Sequence, residues 1–132
     1  MPTQPFHAAL DELPKFPGLD GYFTRAAITA DHATFQVIWL KPHHPPVPTD
    51  QHPFDQTVFV FSGELELVLD GFGRYVVRPG ECLYIPGGVP HTAKALGEET
   101  LHALDIFAPA RDDYRHMVEH QLQAEPVSPS SR

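Results

Sequence analysis

Gly80-Glu81-Cys82-Leu83-Tyr84-Ile85-Pro86-Gly87-Gly88-Val89-Pro90-His91 reads as a turn, a short strand and a second turn that delivers a histidine onto the next strand. Upstream lies Asp50-Gln51-His52-Pro53-Phe54-Asp55-Gln56, followed by a strand that closes at Gly63. Alternate residues of a strand face one side, so Asp50 and His52 share a face and Gln56 keeps the same parity. His91 opens another strand. Two imidazoles, one carboxylate and one amide oxygen can therefore converge, and that donor set suits a first-row divalent metal.

Working outward, the strands are short and closely spaced. Gly21–Thr29 and Ala33–Lys41 come first, the second rich in bulky, β-favouring residues: Phe35, Val37, Ile38, Trp39 and Leu40. Pro42-His43-His44-Pro45-Pro46-Val47-Pro48 cannot be a central strand, because proline lacks a ladder donor, and it reads as a stiff extended loop. Strands resume at Gln56–Ser62, Glu64–Leu69, Arg74–Val77, Glu81–Ile85, His91–Leu96 and Thr100–Phe107. Asp70-Gly71, Arg78-Pro79-Gly80, Pro86-Gly87-Gly88 and Gly97-Glu98 are the turns between them. About eight such strands imply an all-β sandwich or barrel.

The flanks differ. Residues 1–19 form an arm with a helical turn expected at Ala8–Leu13, and residues 20–112 form the barrel. Asp112–Gln123 reads as a terminal helix, with 113–123 its own unit and Tyr114, Met117, Val118 and Leu122 as its apolar stripe. Residues 124–132 hold Pro, Ser and little else, the composition of a disordered tail.

A length of 132 residues with 42% apolar content fits one domain with one core. A net charge of −8 argues against a nucleic-acid partner, which needs a clustered basic face. No apolar run approaches the ~20 residues of a membrane span. Met1-Pro2-Thr3-Gln4-Pro5 lacks the basic and apolar regions of a signal peptide. With Cys82 as the one cysteine there is no internal disulfide, and a cytoplasmic setting is expected.

Gly80, Pro86, Gly88 and His91 match the second cupin motif, Gly-x5-Pro-x-Gly-x2-His-x3-Asn, with Ala95 in place of the final Asn. His52 and Gly63 match the first motif, Gly-x5-His-x-His-x3,4-Glu-x6-Gly. There Gln56 holds the Glu position, Asp50 that of the first His and His44 that of the leading Gly. Over roughly residues 20–112 the chain thus resembles a small single-domain cupin. The fold implied is a double-stranded β-helix of the jelly-roll type with a short C-terminal helix.

A narrower resemblance is to cupins of pectin degradation, which open unsaturated uronate rings. Many small bacterial cupins carry His-x-His-Pro-x-(Glu/Gln)-Gln and, later, Asp-x-Phe-x3-Arg-(Glu/Asp)-Asp. Here these read Asp50-Gln51-His52-Pro53-Phe54-Asp55-Gln56 and Asp105-Ile106-Phe107-Ala108-Pro109-Ala110-Arg111-Asp112-Asp113. The resemblance implies a divalent transition metal (Fe, Mn, Ni or Zn) held by His52, Gln56, His91 and, replacing a histidine, Asp50. It makes Asp105 the proton-transfer group and Arg111 the clamp for a substrate carboxylate. Phe107 and Tyr84 complete the expected substrate-binding set. His43 and His44 are the alternatives for the missing first histidine. By strand parity His102 faces away from Asp105.

Three functions compete. The first is a metal-dependent isomerase, ring-opening enzyme or lyase acting on a small oxygenated, carboxylate-bearing molecule, sugar acids among the candidates. The second is a small dioxygenase. The third is a non-catalytic cupin that binds a small ligand. The run Val58–Phe61 is apolar on both faces, so both faces should be covered. Small cupins often pair, and a homodimer would cover the outer face. His116-Met117-Val118-Glu119-His120 spells the helix motif of inverted zinc peptidases, but on a terminal helix of so short a chain it reads as an ordinary polar face.

Overall fold

The computed structural model describes residues 4–124. The tail expected over 124–132 lies, from residue 125 on, outside the described residues.

Among the described residues, nine strands and one α-helix make up the fold. In chain order they are β1 (Phe16–Gly18), β2 (Phe23–Thr29), β3 (Thr34–Leu40), β4 (Asp55–Ser62), β5 (Glu64–Leu69), β6 (Gly73–Val77), β7 (Cys82–Ile85), β8 (His91–Leu96), β9 (Leu101–Ala108) and α1 (Arg115–Leu122). Two antiparallel sheets result. One has the order β1-β2-β3-β9-β4-β7, the other β6-β5-β8.

Eight of these strands lie where the sequence places them, with no end shifted by more than two residues. The ninth, β1, contains Pro17 and is too short to carry a periodic signal; it pairs with β2 across Phe16↔Arg25 and Gly18↔Phe23. Strand β2 starts at Phe23 rather than Gly21 because Leu19, Asp20 and Gly21 all have positive φ. The helical turn expected at Ala8–Leu13 is a single 3-10 turn at Leu10–Glu12. The terminal helix also begins as a 3-10 turn, Asp112–Tyr114, before α1.

Alternation along the strands builds the core. Ile38, Leu40, Val58, Val60, Leu101 and Ala103 point inward from the large sheet and meet Leu65, Leu67, Leu69 and Ala95 from the small one. Burying each valine, leucine or isoleucine side chain among them contributes about 1.5–3 kcal/mol. A second cluster, Ala27, Phe107, Tyr114, Met117 and Val118, fastens α1 onto β2 and β9. Gly63 shows why the first motif demands glycine. Its φ is +75°, and a Cβ there would lie 2.8 Å from the Cα of Leu101. Among the described residues no helix is long and apolar enough to cross a membrane.

Candidate metal centre

Backbone pairing zips the two motif-bearing segments together. Asp50 N donates to His91 O at 2.8 Å, and His91 N returns the bond to Asp50 O at 2.9 Å. Gly88 N donates to His52 O at 2.7 Å, the Gln51 amide donates to Gly88 O at 3.0 Å, and Gly87 N donates to the Asp55 carboxylate at 2.9 Å. Contact is so close that a Cβ on Gly87 would sit 2.3 Å from Pro53 O. The Pro-Gly-Gly turn is therefore a clamp on the Asp50–Gln56 run.

The clamp brings Asp50, His52 and His91 together, with one ligand atom from each within 4.8 Å of the others. Both imidazoles are buried, at 7% and 6% exposure. His52 Nδ1 lies 3.0 Å from Phe54 O and His91 Nδ1 lies 2.9 Å from Val89 O. A carbonyl only accepts, so each Nδ1 carries the proton, and in the neutral ring each Nε2 is left with a lone pair. Such backbone partners are how metal-binding histidines are oriented.

Gln56 supplies the fourth donor. Its Nε2 donates to Asp105 Oδ1 at 2.9 Å, which turns Oε1 toward His52 Nε2 at 3.1 Å. With the His52 ring neutral, two lone pairs face one another in a buried place, with Asp50 Oδ2 3.9 Å from the same nitrogen. A cation between these atoms satisfies all of them, so the residues fit a divalent metal.

Asp105 lies on the inner face of β9 and is 5% exposed. Its second oxygen accepts from Gln36 Nε2 at 2.8 Å. Burial pushes its carboxyl above the usual range, while the amides of Gln56 and Gln36 and the charges of His91 and Arg111 pull the other way. Phe107, opposite Gln56 in the register, is a buried wall. Its ring packs edge-on against His52 at 5.5 Å and Tyr114 at 5.6 Å.

Arg111 is buried among Phe54, Phe107 and Tyr114, its guanidinium carbon 4.8, 4.6 and 4.0 Å from their ring centres. Its fork is engaged by Asp113, through Nε at 3.1 Å and Nη2 at 2.7 Å. Among the described residues Nη1 has no hydrogen-bond partner, although it is buried. The carboxylate-clamping edge expected of Arg111 is thus occupied from within the chain, and Nη1 is what remains.

Tyr84 requires a correction. It pairs with Thr57, one residue out of phase with Gln56, so it projects from the outer face of the sheet and is 55% exposed. Strand parity keeps it out of this centre. The alternative histidines also lie elsewhere: His43 meets Glu98, and His44 bridges Pro45 O and Ala95 N. His102 stacks on Trp39 with ring centres 4.9 Å apart, on the face opposite Asp105. On α1, His120 meets Ala27 O and His116 packs against Phe16, so the His-x-x-Glu-His run is spent on packing.

Gln36 and Tyr114 escaped the sequence reading as members of this centre. A glutamine between Phe35 and Val37 is a polar residue on a strand of otherwise bulky residues, which was the available signal. Tyr114 was hidden in the helix stripe.

The cupin domain family model matches residues 37–107. This chain belongs to the cupin family. Among curated proteins none matches it. Among solved structures it is similar to an RmlC-like cupin from Shewanella frigidimarina, at 21% identity over 86% of this chain and 99% of that one, with a TM-score of 0.70. It is also similar to KdgF from Halomonas sp., at 25% identity over 78% and 94% of the two chains, TM-score 0.66. The iron(II) form of HppE resembles this cupin at 17% identity, over 77% of this chain and 59% of that one, TM-score 0.65.

Proposed function

We propose that this cupin is a metal-dependent enzyme acting on a small, oxygenated, carboxylate-bearing metabolite by isomerisation, ring opening or lyase chemistry. The observation that carries the reading is the buried confrontation of His52 Nε2 with Gln56 Oε1, beside Asp50 and His91. His52, His91, Gln56 and Asp50 would hold a divalent ion (Fe, Mn, Ni or Zn). Such an ion, when bound, polarises a carbonyl or hydroxyl oxygen of the substrate. Asp105 keeps a second lone pair on each oxygen, free to take and return a substrate proton, a role worth about 10²–10⁴-fold in rate. Arg111 Nη1 adds a buried positive charge against Phe54 and Phe107, whose rings pack on His52. Likeness of the motif to that of uronate-linearising cupins supports a sugar-acid-like substrate.

Metal analysis of purified protein, with titration of metal-free samples, tests this. Wild type should bind one equivalent of metal, His52→Ala and His91→Ala should bind at least tenfold more weakly, and Asp50→Ala should lie between. Unchanged binding in both histidine variants would refute the reading.

A second reading is favoured by one feature. His52, His91 and Asp50 form a two-His, one-carboxylate set, the donor pattern of non-haem iron oxygenases. Oxygen uptake on addition of substrate to the iron-loaded protein distinguishes a dioxygenase from the first reading, which consumes none.

We also propose that a second copy of this chain covers the outer face of the large sheet, where Phe59, Phe61 and Tyr84 are exposed. The outward residues of the small sheet include the charged Glu66, Arg74 and Lys94 beside the exposed Val68. A reducing, cytoplasmic setting would suit the exposed Cys82 thiol.

A further inference from the structure

A directional chain of hydrogen bonds runs from β2 to the metal centre. Arg25 Nη1 donates to Gln36 Oε1 at 3.4 Å. Gln36 Nε2 donates to Asp105 Oδ2 at 2.8 Å, and Gln56 Nε2 donates to Asp105 Oδ1 at 2.9 Å. Only then does Gln56 Oε1 reach His52. Register makes the chain possible: Ala27, Gln36, Asp105 and Val58 lie in one row across β2, β3, β9 and β4.

An amide has two ends of opposite polarity, and a metal tolerates one of them. With Oε1 forward, Gln56 is a ligand; rotated by half a turn, it would aim N–H groups at the ion and repel it. Nothing in the side chain of Gln56 chooses between these states. The choice belongs to Asp105, whose two oxygens accept from the amides of Gln56 and Gln36 and so capture the NH2 end. Asp105 in turn is a two-oxygen group on a rotatable bond, and Gln36 holds its other oxygen. Arg25, a cation, can only donate, so it keeps the Gln36 carbonyl on its own side and the Gln36 NH2 on the side of Asp105.

We propose that Gln36, held in this polarity by Arg25, is a positioning residue that acts through Asp105 to make Gln56 present oxygen rather than NH2 to the metal. This duty rests on the metal-centre reading above, and it gives Asp105 a structural role separable from proton transfer. At 5% exposure the Gln36 amide is shielded from bulk water. Partners of this kind are worth about 10–100-fold in metal affinity.

The test is Mn(II) titration of metal-free full-length protein by calorimetry, with thermal melts to verify folding. Gln36→Met keeps the length and removes the donor, and should weaken Mn(II) binding about tenfold. The same change in a Gln56→Ala background should do nothing more, since no amide remains to orient. Gln36→Glu sets two carboxylates against each other and should bind more weakly still. Adding Asp105→Asn to Gln36→Glu restores the polarity: the carboxylate introduced on β3 accepts from the amide introduced on β9, whose oxygen accepts from Gln56. That double variant should regain Mn(II) affinity to within about threefold of wild type while remaining inactive if Asp105 moves the proton. Equal affinities of wild type and Gln36→Met, an undiminished effect in the Gln56→Ala background, or no rescue in the folded double variant would each overturn the inference alone. Wild-type protein that binds no metal would overturn the metal reading and this inference with it.

Discussion

His52 Nε2 and Gln56 Oε1 face each other at 3.1 Å, both as acceptors when the ring is neutral, because the proton of His52 is spent on Phe54 O and the NH2 of Gln56 on Asp105. Buried acceptors without a donor cost free energy, and a bound cation removes that cost only in the folded state. Metal at a hundredfold excess over its Kd should stabilise the protein by about 2.7 kcal/mol. For a chain of this size that is an increase of roughly 10 °C in Tm. Differential scanning calorimetry should show the shift in wild type and its loss in His52→Ala.

Gly87 and Gly88 do different jobs, and substitution should separate them. A Cβ at position 87 would lie 2.3 Å from Pro53 O, whereas at position 88 nothing lies within 4 Å but φ is +85°. Gly87→Ala should force the two ligand-bearing segments apart, costing about 1–3 kcal/mol as overpacking and weakening metal binding. Gly88→Ala should cost about 1–2 kcal/mol through backbone strain with a smaller effect on the metal. Urea denaturation and metal titration of both variants make the comparison.

The Arg111–Asp113 pair gives a pH signature. The Arg111 hydrogen bond holds the Asp113 carboxyl below its ordinary value of 3.8. A depressed carboxylate stabilises the fold above its unfolded pKa, and that contribution disappears as pH falls through the lower folded value. Asp113→Asn should therefore be less stable than wild type at pH 7, and the gap should close well below pH 3.8. Denaturation curves at several pH values would reveal it; a gap independent of pH would contradict the assignment.

On the outer face Phe61 is 47% exposed. If a second copy covers this surface, Phe61→Glu should convert a dimer into a folded monomer. Light scattering at micromolar concentration reads the mass directly, and a monomeric wild type would count against the pairing.

Much of this was legible in the chain. The turns at Gly80 and Pro86-Gly87-Gly88, and the alternation along Gln56–Ser62, set strand positions because a two-residue period admits one inward face. Parity also placed His102 opposite Asp105. It could have placed Tyr84 too, since Tyr84 and Ile85 cannot both face in, and Ile85 is the one fully buried. Strand β1 was illegible because three residues with a proline carry no period. Gln36 was illegible as a functional residue because its role needs Asp105 beside it, and that pairing spans 69 positions.

Local chemistry determined which residues could be ligands: imidazole, amide and carboxylate side chains, Gln56 and His91 on strands and Asp50 and His52 in the segment before β4, punctuated by glycines that only a tight turn requires. Tertiary structure decided what each donor does. The Nδ1 protons of His52 and His91 are committed to nearby carbonyls, the fork of Arg111 is given to Asp113, and the amide of Gln56 is turned by Asp105 and Gln36. The reason is that a side chain's type is a property of one residue, whereas which end of an amide or which nitrogen of a ring faces the centre is set by partners that only the folded sheets bring within about 3 Å.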